Sequence, residues 1–145
     1  MATVELEDLQ AFAHNMLVRI SAPAPQHAFI LALQGELGSG KTTFMQALAR
    51  ELGITESVKS PTYVLMKNYS ISHNGFTKLV HIDAYRLEKP EEFQTLDPET
   101  FLKDPKALVC IEWPERAGGL LPTPDLLLHF SHGNDETGAR EIQAE

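Results

Sequence analysis

The chain has 145 residues, 43% of them hydrophobic, and a formal charge of -8. That size suits one domain with a real core. The acidic balance argues against a broad footprint on a nucleic-acid backbone, so any contact with RNA is expected to run through a partner.

The acidic start, Met1 to Asp8, lacks the apolar stretch of a signal peptide. No apolar run reaches membrane-spanning length, and a soluble cytoplasmic protein is the expectation. Leu6, Leu9, Phe12, Ala13, Met16, Leu17 and Ile20 recur at helical spacing and predict an amphipathic helix starting near Glu7 or Asp8. Ser21-Ala22-Pro23-Ala24-Pro25 ends it. Phe29 to Leu33 then reads as a short buried strand.

Next comes Gly35-Glu36-Leu37-Gly38-Ser39-Gly40-Lys41-Thr42, which fits G-x-x-x-x-G-K-[ST], the phosphate-binding P-loop. The glycines allow a tight turn whose successive N–H groups can point at phosphate oxygens. Lys41 supplies a positive charge for the β and γ phosphates, and the Thr42 hydroxyl is a hard oxygen suited to Mg²⁺. Phe44, Leu48 and Leu52 continue at helical spacing, and Gly53 stands where a helix C-cap belongs. Strand, glycine loop and helix is the order the chemistry needs, because a helix N-terminus already favours an anion.

Downstream, Tyr63 to Tyr69 and Phe76 to Ile82 predict an antiparallel hairpin, with turn chemistry at Ser72-His73-Asn74-Gly75. Pro90 opens one short helix, and Asp97-Pro98 opens another as N-cap and N1. Ala107 to Ile111 is an apolar run, plausibly a buried strand. Cys110 lies in it as the single cysteine, which excludes an internal disulfide and fits a reducing compartment. Gly118, Gly119, Pro122 and Pro124 mark a loop, Leu126 to Phe130 a strand, 133–138 a turn, and Arg140 to Ala144 a strand paired back onto it. No linker divides the chain, so 1–145 is expected to form one P-loop domain. The fold expected is α/β, a P-loop NTPase-like sheet of mixed parallel and antiparallel strands flanked by helices.

A nucleotide triphosphate with Mg²⁺ also needs a carboxylate for the metal and a group to orient water. Glu112 follows Leu108-Val109-Cys110-Ile111, and Asp83 follows Lys78-Leu79-Val80-His81-Ile82, each in the pattern of an apolar strand ending in an acid. A solvated strand-end acid is the alternative for either; the job that a P-loop leaves open favours function. If their strands are parallel neighbours, both converge on the nucleotide. Thr62, stiffened by Pro61, reads equally as a γ-phosphate sensor or an ordinary loop threonine. Trp113 can stack on a base or fill the core, and the core is favoured. His81 is read as a satisfied strand histidine ahead of a general base. Arg86 reaches a phosphate or a partner, or pairs with Glu88 or Glu91.

Four blocks now stand in order: Gly35 to Phe44, Ser60-Pro61-Thr62-Tyr63, His81-Ile82-Asp83-Ala84-Tyr85-Arg86, and Glu112-Trp113-Pro114. Together they closely resemble the TsaE family, also called YjeE, over about Phe29 to Asp125. The first block is common to many families, while the other three together are nearly diagnostic. The resemblance implies an ATPase that binds ATP, ADP and Mg²⁺ and is weak alone. It implies action with TsaD and TsaB, of which TsaD transfers threonylcarbamoyl from its adenylate to adenosine 37 of tRNAs reading codons that start with adenine. ATP hydrolysis would serve turnover of that complex, and tRNA would be met only through it. By the same resemblance Lys41 and Thr42 take the phosphate and metal roles, and Glu112 is the metal-site acid. Asp83 is a second functional acid, and Thr62 is switch-like. Glu36, Leu37, Gly38, Ser39, Gly40, Thr43, Trp113 and Arg140 lie near the nucleotide. Ser39 replaces a common alanine and Glu36 a common aspartate, without disturbing main-chain contacts. Two other readings share the P-loop: a small-molecule kinase, which needs an acceptor pocket and usually a mobile arginine-bearing lid, and against which count the few arginines and no obvious lid segment, and a nucleotide-sensing interaction module with little turnover.

Overall fold

The computed structural model describes residues 2–4, 8–20, 27–36, 39–55, 66–132 and 140–144. In chain order the elements are β1 (Ala2–Val4), α1 (Leu9–Arg19), β2 (Phe29–Gly35), α2 (Lys41–Glu51), β3 (Met66–His73), β4 (Phe76–Asp83), a 3-10 helix (Pro90–Leu96), α3 (Pro98–Leu102), β5 (Ala107–Glu112), a second 3-10 helix (Pro114–Leu120), β6 (Leu126–His132) and β7 (Arg140–Ala144). The seven strands form one sheet in the order β1-β7-β6-β2-β5-β4-β3. Its centre is parallel: β2 pairs with β5 and β6, and β4 with β5. Its edges are antiparallel, β3 on β4 at one side and β7 and β1 beyond β6 at the other. The mixed α/β sheet expected from the sequence is therefore the fold.

The strand sequences explain this layout. β5 is buried at every position, as a central strand covered on both faces must be. Along β2, alternate residues serve two cores. Leu31 and Leu33 join Leu79, Leu108, Cys110 and Leu128 beneath α1 and α2. Ile30 and Ala32 join Val80, Ile82, Val109 and Ile111 beneath Phe93 and Phe101. Period-two alternation in every central strand divides the apolar residues in this way.

α2 is fastened at both ends of its packing face. Phe44 lies fully buried, edge-on to Phe12 at 5.9 Å and tilted on Phe130 at 5.5 Å between centroids. At the other end Gln10 of α1 donates from Nε2 to the Ala47 carbonyl at 2.9 Å and to Glu51 Oε1 at 2.7 Å. Those contacts, with His14 Nδ1 at 2.9 Å from Glu51 Oε2, hold the Glu51 carboxyl below the usual range, the Gln10 bond first. The expected C-terminal stop is real: Gly53 has φ 81, and the Gly53 and Ile54 N–H groups donate to the Arg50 and Ala49 carbonyls. This is the paired closure of a Schellman motif.

The hairpin turn is Asn74-Gly75, both at positive φ (45 and 92), so the strands extend up to those two residues and β3 reaches His73, past the expected Tyr69. The part of that strand expected at 63–65 lies outside the described residues, as does the turn at 133–138. Two features differ from expectation. β1 had no sequence signal; its three residues are held by pairing with β7. The glycine-containing segment expected as a loop winds into the second 3-10 helix, kinked at Gly118 (φ 58, ψ -142). A Cβ at Gly118 would meet Pro90 at 3.1 Å, so the kink also lets the two 3-10 helices approach. Pro98 stands at N1 of α3 as expected, while the Asp97 carboxylate accepts from Thr100 Oγ1 at 2.7 Å.

Phe44→Ala is expected to lower the unfolding free energy by about 3–5 kcal/mol, the cost of a large cavity in a fully packed core. Urea denaturation measures it; a loss no larger than that of an exposed substitution would mean that Phe44 does not join the two helices to the sheet.

Candidate functional site

Parallel strands end at one edge of a sheet. The register aligns Leu33 of β2 and Asp83 of β4 with Glu112 of β5. Gly35, Asp83 and Glu112 therefore finish three neighbouring strands on the same side, next to the start of α2. On β4 and β5 the alternation puts His81, Asp83 and Glu112 on the face that α2 covers.

Gly35, at the end of β2, has little room around it. A Cβ on Gly35 would run into the Phe130 carbonyl of β6, so the close approach requires glycine there. Gly40, immediately before α2, has φ 103. The Phe44 N–H then makes the first helical bond, to the Gly40 carbonyl at 2.9 Å. Ser39 is buried, its N–H donating to the Glu36 carbonyl at 3.1 Å. Its Oγ has no hydrogen-bond partner among the described residues.

Lys41 is 5% exposed. Its ammonium donates to the Gly35 carbonyl and lies 3.5 Å from the centroid of the Trp113 ring. Burial pushes it below the usual lysine range, against the raising influence of Glu112, Glu115 and Asp83. Glu112 is 2% exposed, with both carboxylate oxygens engaged. Oε1 accepts from Thr42 Oγ1 at 3.2 Å, and Oε2 lies 2.8 Å from His81 Nε2. Asp83 is half-buried at its strand tip and accepts from the Tyr85 N–H at 3.0 Å. The main-chain N–H of Trp113 donates to the Leu33 carbonyl at 3.1 Å, and the residue turns the chain at φ 60. Its ring is half-buried and meets Tyr85 at 5.0 Å, with the Arg116 guanidinium 5.9 Å from its centroid. Gln34 Nε2 donates to Glu115 Oε2 at 2.7 Å on the same rim.

Lys41, Thr42, Asp83, Glu112 and Trp113 are thus one cluster, with Ser39, Gly40 and Glu36 at its base. Thr43 is exposed on the first turn of α2. Arg140 begins β7 level with His132, at the carboxyl end of β6. Leu37, Gly38 and Thr62 lie outside the described residues. The sequence understated His81, which is fully buried against Glu112; the available signal was its place two residues before Asp83, on the same strand face. Cys110 is buried, and burial with the nearby Glu112 charge holds its thiol well above the usual range, which leaves it a neutral core residue.

Among the described residues no group of three or more His, Cys, Asp and Glu side chains could hold a metal ion. The oxygen donors that do converge, the Thr42 hydroxyl and the Glu112 carboxylate, suit Mg²⁺, which takes few protein ligands and keeps waters. No helix among the described residues is long and apolar enough to cross a membrane.

Comparison with known proteins agrees across the chain. Residues 3–142 match the family model described as threonylcarbamoyl adenosine biosynthesis protein TsaE. The tRNA threonylcarbamoyladenosine biosynthesis protein TsaE of Bacillus subtilis is 34% identical over 140 residues, 97% of this chain and 80% of that one. The protein of the same name from Haemophilus influenzae is 34% identical over 118 residues, 81% of this chain and 70% of that one. A Nostoc protein of that name is 41% identical over 116 residues, 78% of this chain and 68% of that one. The crystal structure of YdiB from Bacillus subtilis superposes with a TM-score of 0.68 at 27% identity, over 97% of this chain and 80% of that one.

Trp113 is the one tryptophan of the chain, so its emission reads the charge above its ring. Raising the pH is expected to change that emission with a midpoint below that of an ordinary lysine, as the Lys41 ammonium, disfavoured by burial, loses its proton. The folded chain releases this proton before the unfolded chain does, so this group's contribution to stability grows as pH rises through that window. Lys41→Met should abolish the step; an unaltered step would separate the ring from the lysine.

Proposed function

Because the chain belongs to the TsaE family of threonylcarbamoyl adenosine biosynthesis proteins, we propose that it is a Mg²⁺-dependent P-loop ATPase. In this reading it acts in the cytoplasm as an accessory subunit, with TsaD and TsaB, in threonylcarbamoyladenosine modification of tRNA position 37. The observation that carries the reading is the meeting of Lys41, Thr42 and Glu112 at the N-terminus of α2, on the carboxyl edge of the parallel strands. Four features there favour a bound triphosphate. The helix start presents free N–H groups. Gly35, at the end of β2, lies too close to the Phe130 carbonyl of β6 for a side chain. A buried Ser39 hydroxyl has no described partner. The ammonium stands among carboxylates.

The residues divide the work. The main chain from Glu36 to Thr43, loop and first turn of α2, would cradle the phosphates, and Lys41 would neutralise their charge. Thr42 and Glu112 would hold the metal, with Asp83 as the second acid on the same edge. A Mg²⁺ held by these residues would supply positive charge to offset what develops on the phosphates. Glu112 and Asp83 also supply the acceptors that orient water. Thr62 senses the γ-phosphate, and Trp113 and Arg140 flank the nucleotide. The deep burial of Glu112 suits such a role, since a carboxylate out of water acts more strongly on nearby charge. The chain's -8 charge suits contact with tRNA through protein partners more than direct grip on its backbone.

The deciding experiment is ATP hydrolysis by the chain alone, then with TsaD and TsaB. A large rise is expected; no rise with an assembled complex would favour a nucleotide-sensing module, and a phosphorylated small molecule would favour a kinase. Lys41→Ala should weaken nucleotide binding while the protein stays folded, followed by calorimetry and circular dichroism; aggregation would contradict its place in the phosphate site. Glu112→Gln should lower the partner-dependent kcat by about 10²-fold, and an unchanged kcat would remove the metal and water role. Thr62→Ala should impair hydrolysis more than ADP binding, and equal losses would end its assignment as a sensor.

A further inference from the structure

The inner face of β4 carries Leu79, His81 and Asp83 in succession. Leu79 belongs to the core and Asp83 to the strand tip; His81, between them, is completely buried. An imidazole at such a position costs desolvation that an apolar side chain would not, unless it is bonded. Its bond is to Glu112, with Nε2 2.8 Å from Oε2, and Glu112 is itself withdrawn from water. The other ring nitrogen, Nδ1, is buried with no hydrogen-bond partner among the described residues. An unbonded N–H there would cost more than an unbonded ring lone pair, so these surroundings favour the form in which Nε2 carries the hydrogen and donates it to Oε2.

A carboxylate on a flexible glutamate stem can rotate. Here one oxygen is tied to His81 and the other faces the Thr42 hydroxyl at 3.2 Å. The pairing of β4 with β5 sets the first tie: His81 is level with Cys110, and Glu112 lies diagonally across on the same face. The start of α2 sets the second. We propose that His81 is a positioning residue, whose Nε2–H holds Oε2 of Glu112 so that Oε1 stays turned toward Thr42 and the metal-binding end of the site. The proposal rests on the metal role given to Glu112 above. It assigns His81 no proton transfer and no contact with the nucleotide.

The test follows ADP uptake by Trp113 emission across a Mg²⁺ titration, and ATP turnover beside it. His81→Leu removes the donor. It is expected to raise the Mg²⁺ concentration at half-saturation and to lower kcat, each about 10–100-fold, as loss of a partner behind a metal ligand does. Uptake in EDTA and the KM for nucleotide should move far less. His81→Gln, whose amide nitrogen can donate to the same oxygen, should recover most of both losses. A merely structural histidine would lower the melting temperature without that selective split or rescue. An H81L variant with the wild-type Mg²⁺ midpoint and kcat would overturn the proposal. Should H81L fail to fold, E112Q/H81L removes the buried charge together with the imidazole, and E112Q alone is its reference. Equal Mg²⁺ midpoints in those two support action through Glu112, and a further shift in the double variant overturns it. Wild-type protein that takes up no nucleotide at any Mg²⁺ concentration would overturn the function reading and this proposal with it. Wild-type uptake beside an indifferent His81 overturns this proposal alone.

Discussion

The parallel alignment of β2, β5 and β4 is the constraint on which the rest depends. Antiparallel neighbours would send alternate strand ends to opposite edges and put Glu112 a strand's length from Gly35 and Asp83. In parallel, with Leu33 and Asp83 both level with Glu112, the three ends share one edge. α2 begins beside them, and at the end of β2 Gly35 lies close against β6 at Phe130. Burial of the central strands secures the alignment, since a slip of one residue would exchange the two cores and turn Glu112 away from α2.

The same constraint explains the electrostatics. Lys41 and Glu112 are each almost removed from water, a costly state for isolated charges. Neither is isolated. The ammonium has the Gly35 carbonyl, the face of Trp113 and three acids within influence, and the carboxylate has Thr42 and His81. Burial still wins for the lysine, whose charge is held less firmly than in solution. The charges are thus kept by a network assembled from four separate segments, and it forms only when the sheet has formed.

Much of this was legible in the sequence, for reasons that are local. The apolar run before Gly35, the helical spacing of Phe44, Leu48 and Leu52, and the stop at Gly53 each reflect short-range geometry. They identify β2, α2 and the loop between them. The continuous apolar run 107–111 announced a buried strand, and the acid after it a strand-end carboxylate. What remained conditional was pairing. Whether Asp83 and Glu112 meet depends on which strands are neighbours, and no single segment encodes that. His81 shows the limit well: its residue type and position were visible, but its meaning required the β4–β5 register. β1 is three residues with no periodicity to detect, defined only by β7. The winding at Pro114–Leu120 was hidden because glycines that often mark loops here admit a kink inside a helical turn.

The contact of Lys41 with the Gly35 carbonyl and the Trp113 ring has a thermodynamic consequence. A negatively charged guest does not meet a bare cation; it meets one already engaged by an acceptor and a π cloud. Attraction to that guest is therefore a net exchange, diminished by whatever the lysine relinquishes. Charge on an entering anion would therefore count for less here than beside an unengaged lysine.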